Sequence, residues 1–112
     1  IPHGIACGTL MAAANKITLR KLREDGENHQ ALIKYTTLGK SLSETEGKSD
    51  QYYQDLFIVF LEELTGVLEI PLLSELGVAD TDLQGIAEKT SNKNNPAFLS
   101  TDEIHEMLSL RH

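Results

Sequence analysis

Tryptophan is missing from this 112-residue chain, cysteine occurs once, proline three times, and aromatic residues make up only 5% of it. Each shortage excludes something. A single cysteine, Cys7, rules out a disulfide within the chain. Its neighbours Ala6 and Gly8 make it read as a small buried filler, and such sparse cysteine usage suits a cytoplasmic setting. With so few aromatic rings the core must come from Leu, Ile, Val and Ala, and a hydrophobic share of 40% is enough for one domain over 1–112. Cations are the minority: 10 Lys and Arg against 17 Asp and Glu give a net charge of −7 and a pI near 5.0. That balance argues against nucleic acid or an anionic membrane as a partner. No run of about 18 apolar residues is available to span a bilayer, and no charged segment leads into a hydrophobic stretch as in a signal peptide. Methionine is also lacking at position 1. Ile1 is bulky for a product of initiator removal, so a truncated or cleaved chain is expected. No internal repeat is visible, and no segment alternates with period two.

What remains is helical periodicity. Residues 5 to 22 read as a first helix, with Ala6, Leu10, Ala13 and Ile17 in 4-3-4 steps and Ile5, Met11 and Ala14 on other faces. A helix apolar nearly all round expects neighbours on several sides. The nearby cations Lys16, Arg20, Lys21 and Arg23 have helical spacing and read as a solvated helix end. After the polar break Asp25-Gly26-Glu27-Asn28, a second helix is expected over 28–39, with Ala31, Tyr35, Leu38 and Leu42 on one stripe. A polar loop over 41–50 follows. The third helix carries Tyr53, Leu56, Phe57, Phe60, Leu61, Leu64 and Val67 at i, i+3, i+4, i+7 and is expected to stop at Pro71. Leu72 to Leu76 give a short turn ended by Gly77, which suits a left-handed cap. Two capping boxes are expected, Thr81 with Gln84 and Ser100 with Glu103. They would open helices carrying Leu83, Ile86 and Ala87, then Ile104, Met107 and Leu108. The fold class is all-α.

Chemistry-bearing groups are few. His3, between Pro2 and Gly4 at the mouth of the first helix, is well placed to hold a metal, because imidazole is a common ligand and its neighbours restrain the backbone. One ligand does not make a site. Asp102 and His105 have the i, i+3 spacing of a carboxylate–histidine pair, but a di-iron bundle needs two such motifs. A helix-start acid beside a surface histidine explains them better. His105-Glu106 lacks the second histidine of a zinc-protease helix. Cys7 as a nucleophile activated by His3 would need a third orienting group. Neither His29 nor His112 is assigned a role. No glycine pattern matches a nucleotide loop, so no catalytic or cofactor-binding residue is assigned. Tyr52 and Tyr53 read as core edge.

Taken in order, Ile1-Pro2-His3-Gly4-Ile5-Ala6, Ile70 to Val78, Asp82-Leu83 with Ile86-Ala87, Asn94-Asn95-Pro96 and Ser100 to Ile104 resemble the C-terminal helical domain of the iron-containing (group III) alcohol dehydrogenases. The resemblance covers nearly the whole chain. It implies a helical bundle like the metal-binding domain of the dehydroquinate synthase-like fold, with the N-terminal nucleotide-binding α/β domain of the parent chain absent. Such enzymes transfer a hydride between an alcohol and a nicotinamide, with one aspartate and three histidines around a divalent ion that acts as a Lewis acid on the alcohol oxygen. The last of those ligands corresponds to His3. Ser91, Asn92, Lys93, Asn94 and Asn95 would border the substrate cleft.

The resemblance also implies Fe2+ or Zn2+ and NAD or NADP in the full-length enzyme, with a small alcohol or aldehyde as substrate. The fragment is expected to bind none of them usefully and to be inactive. Uncovered apolar positions such as Ile5, Leu10 and Met11 should favour self-association. Two rival readings stand beside this one. One is a self-contained helical interaction domain without catalysis. The other is a zinc-dependent polyol dehydrogenase or dehydroquinate-synthase-like enzyme.

Overall fold

The computed structural model describes residues 3–25, 29–90 and 97–112; the side chains of His3, Asp25 and His29 lie outside the described residues. These residues form five α-helices, α1 (His3–Asp25), α2 (His29–Leu42), α3 (Asp50–Val67), α4 (Leu83–Lys89) and α5 (Thr101–Ser109), with a 3-10 turn over Asp80–Asp82. No strand occurs among the described residues, so the all-α expectation holds. No helix of the described residues is long and apolar enough to cross a membrane.

Helix α1 is the spine, because its two halves bury different residues in different cores. Ala13 and Ile17 join Leu73, Leu83, Ala87, Leu99, Ile104, Met107 and Leu108 in a first core. Leu19 and Leu22 join Ala31, Tyr35, Ile58 and Ala97 in a second. The apolar periodicity that wraps α1 thus has a physical reason: it meets α2, α3 and α5 in turn. Leu10 packs against the first core, whereas Ile5 is 40% exposed. Of the expected uncovered positions, Ile5 is therefore the open one and Leu10 is not. The principal extents, 44 × 32 × 18 Å, describe a slab about two helix diameters thick.

The second core is closed by a tight crossing of α2 over α3, where Gly39 lies against the Tyr53 backbone carbonyl. Beside it a relay of hydrogen bonds runs inward from the half-buried Arg23 to the buried Gln54 and Thr36. Arg23 donates through Nε and Nη2 to Gln54 Oε1 at 3.1 and 2.9 Å. Gln54 Nε2 donates to Thr36 Oγ1 at 3.0 Å, which donates to Leu32 O at 3.0 Å. Tyr35, its hydroxyl pKa raised by burial, donates to Asn15 Oδ1 at 2.8 Å.

Several expectations need correction. Helix α3 stops at Val67, before Pro71 can act. Its terminator is Glu69, left-handed at φ 53°, with Ile70 N bonded to Thr65 O and Glu69 N to Gly66 O, the paired bonds of a Schellman ending. Gly77, at φ 90°, ends the Leu73–Gly77 turn in the same way, as expected: Val78 N bonds Leu73 O and Gly77 N bonds Ser74 O. Thr81 and Gln84 form no capping box. Thr81 falls inside the 3-10 turn, and the Asp82 carboxylate instead accepts from Ala79 N at 2.9 Å. The Ser100–Glu103 box is present in both directions, at 2.9 and 3.1 Å. Cys7 is exposed, not a buried filler, because α1 presents it beyond the last turn the bundle encloses. Tyr53 is buried and Tyr52 exposed.

Candidate functional site

The end of the bundle that carries the start of α1 is built from three stretches distant in sequence. Gly8 lies against Ile70, where an added Cβ would sit 3.5 Å from the side chain. One residue on, Thr9 is 0% exposed and donates from Oγ1 to Pro71 O at 2.7 Å. Arg111, just past α5, reaches both stretches. Its Nε donates to Thr9 O at 3.0 Å and to Thr9 Oγ1 at 3.2 Å, and its Nη2 donates to Ile70 O at 2.9 Å. The backbone then zips closed: Leu73 N bonds Arg111 O at 2.8 Å, and Ser74 Oγ donates to His112 O at 2.7 Å. His112 Nε2 lies 2.8 Å from Val78 O, which can only accept, so that nitrogen is the donor.

His3 is the first residue of α1, at this end of the bundle. Its side chain lies outside the described residues, as do Ser91, Asn92, Lys93, Asn94 and Asn95. Asp102 and His105 do not combine into a ligand pair. His105 instead pairs through Nδ1 with Ser109 Oγ at 3.5 Å, one turn along α5. Among the described residues no group of three or more His, Cys, Asp or Glu side chains gathers as a metal site.

The cationic cluster of α1 is solvated in part, with Lys16 and Arg20 exposed, and it is also paired across the bundle. Arg20 makes a bidentate pair with Glu106 at 2.6 and 2.8 Å. Lys21 meets Glu103 at 3.2 Å, Arg23 meets Asp55 at 2.9 Å, and Lys16 meets Glu62 at 3.8 Å. These pairs tie α1 to α5 and α3, and all but Lys21–Glu103 line a groove floored by Ile58, Val59 and Leu110. Because each cation faces a carboxylate, the groove carries no excess positive charge to draw an anion. The sequence held the signal, in that four cations on one helix coexist with carboxylates on two others, but the pairing is a property of the fold. Thr9 and Arg111 were also missed. A buried threonine in an apolar stretch was the available clue.

The Arg20 hydrogen bond holds the Glu106 carboxyl below its ordinary value of 4.5. The backbone hydrogen bond from Ser100, helped by Lys21, does the same for Glu103. Arg20 is raised in turn, chiefly by its hydrogen bond to Glu106. Both carboxyls are more acidic folded than unfolded, so their stabilisation is present above about pH 4.5 and is lost as pH falls through their folded values. Thermal melts should show stability dropping with acidification below that point. A Glu103→Gln, Glu106→Gln double variant should show a shallower drop, and an unchanged slope would remove these pairs from the explanation. At neutral pH the solvent-exposed Arg20–Glu106 pair contributes little.

Comparison of the chain with protein-family models, with curated proteins and with solved structures finds no match.

Proposed function

We propose that this chain is the C-terminal helical part of a metal-dependent, NAD(P)-linked alcohol dehydrogenase. In that reading it contributes one metal ligand, His3, and part of the substrate cleft. The observation that carries the reading is the ordered series of motifs, from Pro2-His3-Gly4 through Ile70 to Val78 to Asn94-Asn95-Pro96 and the Ser100 box. Two further facts support it. The described residues form helices and no strand, and the motif segments at 70–78 and 100–104 pack with α1 around the first core.

The described residues alone do not fit a metal ion, because no three donors converge. One imidazole cannot replace a complete ligand set. The reading therefore places the remaining ligands and the dinucleotide in the part of the parent chain that precedes Ile1, and no step of hydride transfer is assigned to residues of this chain. Their part is to orient. The bonded frame of Thr9, Pro71 and Arg111 fixes the direction in which α1 begins, and Ser91 to Asn95 would border the alcohol or aldehyde. Iron and zinc, and NAD and NADP, are equally compatible with these residues.

The test uses the full-length parent. With His3→Ala, the bound ion measured by elemental analysis should be lost, together with turnover. A variant that keeps both its ion and its rate would overturn the proposal.

A further inference from the structure

We infer that Arg111 is the positioning residue for the start of α1, and through that start for His3. The inference rests on the proposed function only for why the direction of this helix end matters; the geometry stands by itself. Thr9 marks where the bundle lets go of α1. On its N-terminal side Gly4, Ile5 and Cys7 are exposed, and Gly8 meets the Ile70 side chain. The first turn of α1 therefore projects with Gly4, Ile5 and Cys7 exposed, while Ala6 stays half-buried. From Thr9 back to His3 is six residues, a lever of about 9 Å at 1.5 Å rise per residue. A tilt of about 10° at Thr9 would move the helix start by roughly 1.5 Å, several times the tolerance of about 0.5 Å that a constellation of reacting groups allows.

Beyond the helix's own backbone bonds, what opposes that tilt is a guanidinium plane. Arg111 donates at once to the carbonyl and the hydroxyl of Thr9 and to the carbonyl of Ile70, while Thr9 donates on to Pro71 O. These acceptors are all neutral oxygens, so the arrangement neutralises no charge; what it supplies is direction. Two nitrogens of a rigid fork, bonded to two different segments, fix the angle between α1 and the Ile70–Pro71 stretch. A lysine could supply one donor at a time from a flexible stem and would not fix that angle. The far side of Arg111 is held as well, since its own carbonyl accepts from Leu73 N.

The test is an orientation measurement on the 112-residue chain, made well below its unfolding temperature. Residual dipolar couplings of amides 4 to 10 and 12 to 22 are compared in the unaltered chain, Arg111→Met and Arg111→Lys. In the unaltered chain both sets should fit one alignment tensor. In Arg111→Met the first set should depart from it, and hydrogen exchange at residues 7 to 10 should quicken roughly tenfold or more. Residues 17 to 22 should stay unchanged, and Arg111→Lys should fail to restore the couplings. A merely stabilising residue would lower the melting temperature and leave the couplings alone, and that result overturns the inference while leaving the dehydrogenase proposal standing. Should Arg111→Met not fold, Arg111→Lys, which keeps the positive charge but not the planar fork, carries the test with the same two outcomes.

Discussion

Replacing Gly39 with alanine should destabilise the fold by about 3 kcal/mol, the upper end of what overpacking usually does. A Cβ at this position would fall onto the carbonyl oxygen and carbon of Tyr53 and come within 2.9 Å of its Cα. These are backbone atoms in the middle of a helix contact, and no side-chain rotation can relieve them. The whole α2–α3 crossing would have to separate, opening the relay of Arg23, Gln54 and Thr36 to water. Gly66→Ala is the control. It lies in the last turn of α3 with nothing within 4 Å of the added carbon, so helix propensity alone should raise stability by about 0.5 kcal/mol. Urea denaturation midpoints of the two variants should move in opposite directions. Equal midpoints would mean that α2 and α3 do not cross at Gly39.

Leu83→Ala should remove about 3 kcal/mol, within the range for a leucine deleted from a closed core. Leu83 is 0% exposed and sits in the first core with Ile17, Ile104 and Leu108. Its loss leaves a cavity at the junction of α1, α4 and α5, which the short α4 has little length to close. Ile86, one turn further along, is 38% exposed and should lose less than about 1 kcal/mol on truncation. The pair of measurements separates burial from composition, since both residues are large aliphatics on a single helix of seven residues. Similar losses for the two would contradict the placement of α4.

Ile86 also shows where the reach of the sequence ended. The i, i+3, i+4 pattern placed Leu83, Ile86 and Ala87 on one face, and two of the three are buried. Seven residues make under two turns, and neighbours cover only part of that face. The same limit applies along α3, where Val67 is 79% exposed although it continues the apolar stripe. Periodicity reports the side a helix could bury; how far a partner extends over it is decided elsewhere in the chain. Helix existence was legible for all five segments, and the Ser100–Glu103 box was legible because both partners lie three residues apart. Thr81 and Gln84 had the same spacing and failed, since the 3-10 turn starts earlier, with Ala79 at the cap position and Thr81 inside the turn. The clamp of Arg111 on Thr9 spans 102 positions. No local rule connects residues so far apart. Of the candidate site, the sequence named His3 and its neighbours but not the frame beneath them.

The division of α1 between two cores has a mechanical meaning. The helix acts as a beam held on two sides, with Ala13 and Ile17 gripped by the first core and Leu19 and Leu22 by the second, and the short Ala97–Leu99 stretch, which also reaches both, is a further tie. The clamp on its front half leans on α3 as well, because Ile70, whose carbonyl Arg111 grips, is itself held by the carbonyl of Thr65. Damage to the rear of the molecule therefore has a route, through the end of α3, to the end that bears the histidine.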